Sequence, residues 1–398
     1  MQTTHSEHDV IVVGARCAGA ATALLLARLG YDVALVDRAS FPSDTMSTHA
    51  LARGGVVQLQ RWGLLDGVLA AGTRAIRSVS FYAGTTSITR PVKDNAGVDH
   101  LMAPRRYLLD ALLVEAAVAA GVTLHPATTV TRLLRTFDGR VSGVSMRRSD
   151  GTDATLSGRL VVGADGVRSR LAREMRARPV VSGVSPSGTF YTYVQGLNAE
   201  GFEFHVAERA LAGVFPVSAA EACVWVSAPA ADLRPLLSAG ADKAAALIGQ
   251  IEVAAPDLGR RIRRCEVTGR VRGAVNLPNV IRTPAGPGWA LVGDAGYHRD
   301  PITGHGMTDA FRDAEFLARA VDRWFSGEVS GRDAMKKFRQ QRDQSIGPIF
   351  DLTCSLTEFP GVARFIELQK QLSGALELEA AMLAGQPAWG EAGELLPA

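Results

Sequence analysis

At 398 residues the chain can bury a large core and exceeds what one core usually organises, and its 47% hydrophobic and 21% charged content is that of a folded globular protein. The 43 basic and 40 acidic residues leave a formal charge of only +3, with arginines scattered along the chain, which argues against a nucleic-acid partner. Four widely separated cysteines without a CxxC pair suggest neither disulfides nor a metal site, and no apolar run has membrane length or forms a signal-peptide core, so a cytoplasmic protein with no membrane span is expected.

In chain order the first element is DVIVV (9–13), a β-branched run of the kind buried in a parallel sheet, followed by a helix from Ala18 to Leu29. Between them lies the turn Gly14-Ala15-Arg16-Cys17-Ala18-Gly19, and a second buried strand, YDVALVD, ends in Asp37, 23 residues after Gly14. This is a β-α-β unit of the dinucleotide-binding type. Gly14 makes the turn, Gly19 lets the helix pack closely, the helix N-terminus faces a pyrophosphate, and Asp37 meets a ribose hydroxyl. Arg16 stands where the pattern has a glycine, so its side chain either points away from the diphosphate or lies along it and pairs with its charge.

The stretch 41–72 becomes helical around Gly54, and Ser47 or Thr48 can cap a helix there. Another helix opens at PRRYLLDALLVEAA, which holds Arg106. Residues 129–166 alternate apolar and polar side chains with Asp-Gly turns at Asp138 and Asp150, the pattern of a strand meander. Its last strand runs into a turn with Gly163, Asp165 and Gly166, and Arg168 and Arg170 lie just inside the next helix.

Residues 188–229 form a second run of alternating strands, dense in aromatic side chains, and with 79–89 and 263–275 they are expected to build an antiparallel sheet. Tyr191, Tyr193, Phe204 and Phe215 are candidates to line a substrate cavity, with core packing as the alternative for each. The segment 288–321 then gives a strand, Gly293-Asp294, a loop with Pro301, Gly304 and Gly306, and a long amphipathic helix from about Thr308. A carboxylate at a strand end can accept hydrogen bonds from a sugar alcohol. The amides from Gly304 to Met307 open a helix whose positive end suits developing negative charge, and the glycines leave room for a flat ring. In the same loop His298 can move a proton at neutral pH or simply hold the loop by a hydrogen bond. Helices follow Gly327, and 385–398 is expected to be a surface tail.

These three segments, in this order and spacing, resemble the flavoprotein monooxygenase family related to para-hydroxybenzoate hydroxylase, with its dinucleotide fingerprint, Asp-Gly motif and Gly-Asp motif, up to about residue 330. The resemblance implies an α/β fold in which an FAD-binding, Rossmann-like, three-layer ββα domain (1–76, 101–178 and 276–326) is interleaved with an antiparallel-sheet substrate domain (77–100 and 179–275). A helical C-terminal region (327–398) follows. It places Gly14, Ala15, Arg16, Ala18 and Gly19 at the FAD pyrophosphate turn, Asp37 with Arg38 at the adenosine ribose, and Arg106 near the cofactor. Asp165 belongs to a motif linked to both FAD and NADPH use. Gly293 and Asp294 fall at the ribitol chain, and Pro301, Gly304, Gly306 and Met307 at the ring. Thr48 and His49 are further flavin-contact candidates, and His49, His298 and Arg299 are the candidate catalytic groups.

The activity implied is hydroxylation or epoxidation of an aromatic or polyketide-like small molecule. In that family NADPH or NADH reduces the flavin and O2 forms a C4a-hydroperoxide. With no second dinucleotide fingerprint, nicotinamide binding is expected to be transient, and a separate flavin reductase remains open. Two alternatives stand beside this: an FAD-dependent reductase of isoprenoid double bonds, as in geranylgeranyl reductases, and a non-catalytic flavin-fold binding protein. A halogenase is disfavoured because the Trp-x-Trp-x-Ile-Pro signature is absent.

Overall fold

The first sheet has eight strands, five of them parallel in the spatial order Trp289–Leu291, Asp153–Gly163, Thr4–Val13, Val33–Val36 and Thr123–His125. They are seen in a computed structural model that describes residues 4–47 and 49–389. Val10 to Val13 and Val33 to Val36 are buried on both faces, as their unbroken apolar sequence requires. On one face lie the helices Cys17–Arg28, Arg106–Ala119 and Gly306–Phe325. The other face is covered by the hairpin of Thr128–Arg135 and Val141–Arg148, which continues antiparallel from Asp153–Gly163 and packs Leu133, Val144 and Met146 on Ile11 and Val36. Helix, sheet and hairpin make the expected three layers.

The second sheet has the order Glu266–Val267, Ser187–Gln195, Glu221–Pro229, Ala210–Pro216, Phe202–Ala207, Ser78–Ala83 and Thr86–Pro91, with Arg272–Val275 also on Ser187–Gln195. Neighbours are antiparallel except Phe202–Ala207 against Ser78–Ala83. The two-residue alternation sorts its side chains. Phe190, Val194, Val224 and Val226 pack on the helices Lys243–Ala254 and Pro256–Ile262, while Tyr191, Tyr193, Phe215 and Trp225 face Phe365, Leu368 and Leu372. A small third sheet joins Pro179–Val184, Pro278–Arg282 and Tyr297–His298.

Two long helices, Gly331–Thr357 and Val362–Ala384, close the fold. The following residues differ from the expected surface tail. Arg61 and Arg319 donate to the Pro387 carbonyl at 2.5 and 2.6 Å, and Arg319 sits 4.7 Å from the centre of the Trp389 ring. Two guanidinium groups and an aromatic face thus dock 385–389, a contact between distant segments that composition does not encode. The remainder of that segment, 390–398, lies outside the described residues. Among the described residues no helix is long and apolar enough to cross a membrane.

Candidate active site

Close approach dictates both glycines of the first turn. Gly14 has φ +105°, and a Cβ there would lie 2.4 Å from the Ala164 carbonyl oxygen; at Gly19 it would lie 1.7 Å from the Gly14 oxygen. Asp37 ties this turn to the second strand by accepting from the amides of Ala15 at 2.6 Å and Ala39 at 2.7 Å. Arg16 has φ −87° and ψ −173°, ordinary extended backbone that needs no glycine. Its side chain is anchored off the turn, with Nη1 donating to the Ser43 carbonyl at 2.6 Å and to Asp110 Oδ2 at 2.9 Å, and Nη2 to Ser43 Oγ at 3.0 Å.

Asp110 is fully buried and accepts from three residues, Arg16, Cys17 and Arg106. Besides Arg16 it accepts from Arg106 Nε and Nη2 at 3.1 and 2.9 Å and from Cys17 Sγ at 3.3 Å. Burial opposes the Arg106 charge, but Asp110 outweighs it and the pKa lies above the usual arginine value; burial likewise pushes the Cys17 thiol up. Asp110 was not singled out from the sequence. Its spacing of four from Arg106, an ion-pair register on a helix, was the signal available.

One cavity of about 850 Å³ connects the three motifs. Gly14, Arg16, Ala18, Asp37 and Arg38 line one end, with Thr128, Thr129 and Val130 of the covering hairpin beside them. Asp165 borders it, but its carboxylate is used locally, accepting from Ser169 Oγ at 2.5 Å and from the amides of Arg170 and Leu171 at 2.8 and 3.1 Å. Past Arg106 the cavity reaches Asp294, His298, Arg299 and Pro301, and then Gly304, Gly306 and Met307 at the start of Gly306–Phe325. Tyr191 and Thr189 of the second sheet also border it.

Ala15, Gly19 and Gly293 do not line the cavity; they support the residues that do. The Gly293 amide donates to Asp313 Oδ2 at 3.2 Å, and a Cβ on it would meet Ala18 Cβ at 2.8 Å. Asp294 projects into the cavity, exposed there and facing the charges of His298, Arg106 and Arg299. Gly304 has φ +63°, with room for a Cβ removed by Ala50 at 2.9 Å.

His298 donates from Nδ1 to the Pro278 carbonyl, which fixes that proton and leaves Nε2 as the free ring atom. Arg299, only 3% exposed, pairs with Asp309 Oδ2 at 2.9 Å, and its Nε and Nη1 have no hydrogen-bond partner among the described residues. Tyr191 accepts from the Ser47 amide at 3.0 Å, and burial pushes its phenol up to about 12.

The structure does not bring the other candidates to the cavity wall. His49 is fully buried and bonded to the Tyr193 hydroxyl; burial, with Arg106 and Arg105 adding to it, holds the ring well below the usual histidine pKa. Tyr193 lies under Arg105, whose guanidinium is 3.6 Å from the ring centre. Phe204 and Phe215 pack with Phe81, Phe202 and Trp225. Thr48 lies outside the described residues.

Below the helix start is a buried charge network that sequence reading did not find. Arg312, fully buried, donates to Asp309 at 2.6 Å, Asp313 at 2.9 Å and Glu379 at 2.8 Å, and Glu379 also accepts from His305. The cavity as a whole fits an extended dinucleotide. It offers a helix N-terminus at each of two points and guanidinium donors without partners, and its volume lies in the upper part of the range for cofactor sites.

Comparison with known proteins agrees. The family described as FAD binding domain matches residues 7–251, and the family described as squalene epoxidase matches residues 157–359. The chain is 23% identical over 365 residues to digeranylgeranylglycerophospholipid reductase of Methanocella arvoryzae, covering 89% of this chain and 87% of that one. It is 29% identical over 323 residues to menaquinone reductase of Mycolicibacterium smegmatis, covering 75% and 72%. The myxobacterial chondrochloren halogenase CndH shares the fold with TM-score 0.80 at 19% identity, over 95% of this chain and 96% of that one. PqsL of Pseudomonas aeruginosa, a probable FAD-dependent monooxygenase, does so with TM-score 0.74 at 22% identity, over 94% and 100%. With the glycine turn, Asp37 and Asp294 around one cavity and an FAD-binding family match over more than half of its length, the chain belongs to the FAD-binding family of flavoprotein oxidoreductases and monooxygenases.

Proposed function

We propose that the protein is an FAD-dependent monooxygenase that hydroxylates or epoxidises an aromatic or polyketide-like small molecule with NADPH or NADH and O2. The observation that carries this reading is the single cavity from Gly14 to Met307, whose far end is bounded by the second sheet at Thr189 and Tyr191. A substrate can lie there against the ring end of the cofactor. Bound FAD supplies the redox and oxygen chemistry, and the chain supplies position, polarity and exclusion of water. Gly14 and the amides of the first helix would hold the pyrophosphate, with Gly19 letting that helix pack against the turn, Asp37 would hold the adenosine ribose, and Asp294 the ribitol hydroxyls. The amides opening Gly306–Phe325 would stabilise the negative charge of a reduced flavin ring bound beside them. Among the described residues, Arg299 Nε and Nη1 and His298 Nε2 are polar atoms available to orient a substrate oxygen.

A second reading, reduction of an isoprenoid-type double bond, is favoured by the names of the two curated reductases that match most of this chain. The match to the squalene epoxidase family over residues 157–359, which holds the second sheet apart from Ser78–Ala83 and Thr86–Pro91 as well as the residues from Asp294 to Met307, favours oxygen insertion. Purified protein reconstituted with FAD, given NADPH or NADH and candidate substrates under 18O2, distinguishes the two. A monooxygenase consumes O2 with substrate and puts one labelled atom in the product, whereas a reductase turns over anaerobically and yields a product two hydrogens heavier. If neither nicotinamide reduces the flavin but added reduced FAD supports turnover, a separate reductase is the electron source.

A further inference from the structure

His305 opens the helix at the ring end of the cavity. It lines that cavity, yet the residue is only 1% exposed, and its two ring nitrogens are treated differently. Nε2 hydrogen-bonds Glu379 Oε2 at 2.5 Å, while Nδ1 is buried with no partner among the described residues. A buried polar atom without a partner is costly unless something bound beside it completes the bond.

Glu379 belongs to the C-terminal helix Val362–Ala384, beyond residue 359, where both family matches have ended. Burial disfavours its charge, but His305 and Arg312 together overcome that and hold the carboxyl down to about 2. An ionised carboxylate only accepts, so the proton facing it must sit on Nε2, and the imidazole is fixed in ring orientation as well as in tautomer. The ligand atoms of His305, Asp309 and Glu379 lie within 4.8 Å of one another, a spacing that suits a cation. Arg312 already donates to both carboxylates, so the positive partner of this cluster is a guanidinium.

We infer that Glu379 is a positioning residue for the cofactor: it holds His305 so that Nδ1 serves as the hydrogen-bonding atom for the flavin end of bound FAD. The inference rests on FAD occupying the cavity with its ring at Gly304–Met307. A C-terminal helix outside the dinucleotide motifs thereby sets the polarity felt by the flavin.

The Glu379→Gln variant tests this in the full chain. Glutamine keeps an oxygen for Arg312 and the same shape, but it turns an NH2 group to His305, which Nε2 can meet only as an acceptor; the ring proton then moves to Nδ1. Against wild type, the Kd for FAD should rise about tenfold, at the lower end of what outer partners of an orienting histidine contribute. The visible flavin spectrum and the midpoint potential should both shift. His305→Phe, which removes Nδ1 but fills its volume, should produce similar shifts, and the double variant should be no worse than His305→Phe alone. Wild-type Kd, spectrum and potential in folded Glu379→Gln overturn the inference. Should that variant not fold, the same wild-type values in His305→Phe overturn it. Failure of the wild-type protein itself to bind FAD would instead overturn the placement of the cofactor.

Discussion

Arg16 Nη1 lies 2.9 Å from Asp110 Oδ2, joining the glycine turn to a helix residue 94 positions later. That pair explains how a bulky cation can occupy a glycine position: the guanidinium is anchored beside the turn, where it also holds Ser43, next to the cavity-lining residues Thr45 to Ser47. Because Arg16 is held by protein partners, Arg16→Gly should still bind FAD, with Kd raised no more than about tenfold, a loss of about 1.4 kcal/mol. Titration of apoprotein with FAD checks this. Complete loss of binding would mean that the side chain is an essential phosphate ligand.

Asp110 carries more than Arg16 does. Asp110→Ala leaves the guanidinium groups of Arg16 and Arg106 without their buried counter-ion, and removal of one partner from a buried pair costs about 3–5 kcal/mol. Thermal or denaturant unfolding should show a marked loss of stability, whereas Asp110→Asn, which keeps the shape and an acceptor, should lose less. Equal effects of the two would remove charge from the explanation.

At Gly19 the geometry predicts a steric failure. A methyl group there meets the Gly14 carbonyl oxygen at 1.7 Å, so the helix must move off the turn. Gly19→Ala should lower stability by about 1–3 kcal/mol through overpacking and weaken FAD binding more than Arg16→Gly does. Parallel FAD titrations of the two variants decide the order.

These residues show what the sequence discloses and what it hides. Gly14, Gly19 and Asp37 were legible because turn, helix start and strand end lie within one short β-α-β unit. Asp294 and Gly304 were legible because strand, loop and helix again follow one another directly. The partners of Arg16, the docking of Glu379 on His305, and the seating of Pro387 join segments far apart in the chain, and no local pattern records them. Alternation placed Tyr191 and Tyr193 on one face of the second sheet, but it could not say that the cavity ends at Tyr191. Tyr193, Phe204 and Phe215 lie beyond that edge, under Arg105 and in the aromatic core.

The pH dependence follows from Glu379. Its folded-state pKa is depressed to about 2, below the unfolded glutamate value near ~4.3, so its stabilising contribution is fully present above the unfolded value and is lost as pH falls towards 2. The stability difference between wild type and Glu379→Gln should therefore shrink as pH drops from roughly 5 to 3. Unfolding curves for both proteins across that window test it; a difference that grew on acidification would reverse the sign.

Tyr191 connects the second sheet to the segment over the cavity through the Ser47 amide. Tyr191→Phe loses one hydrogen bond, about 1 kcal/mol, and should leave FAD bound. Under the proposed monooxygenase activity, a loosened Ser47 segment should admit water, and the fraction of reductant oxidation that ends in hydrogen peroxide instead of product should rise. Assaying peroxide and product together measures it, and unchanged coupling would separate Tyr191 from the reaction cavity.

Gly14, Asp37 and Asp294 should surround one extended FAD whose ring system meets the start of the helix at Gly306. A crystal structure of the protein with FAD decides this. The expected result has the pyrophosphate at the Gly14–Gly19 turn, a ribose hydroxyl on Asp37, the ribitol on Asp294 and the flavin ring against Gly304–Met307. A ring placed at the Asp37 end, or a cofactor bound outside this cavity, would contradict it.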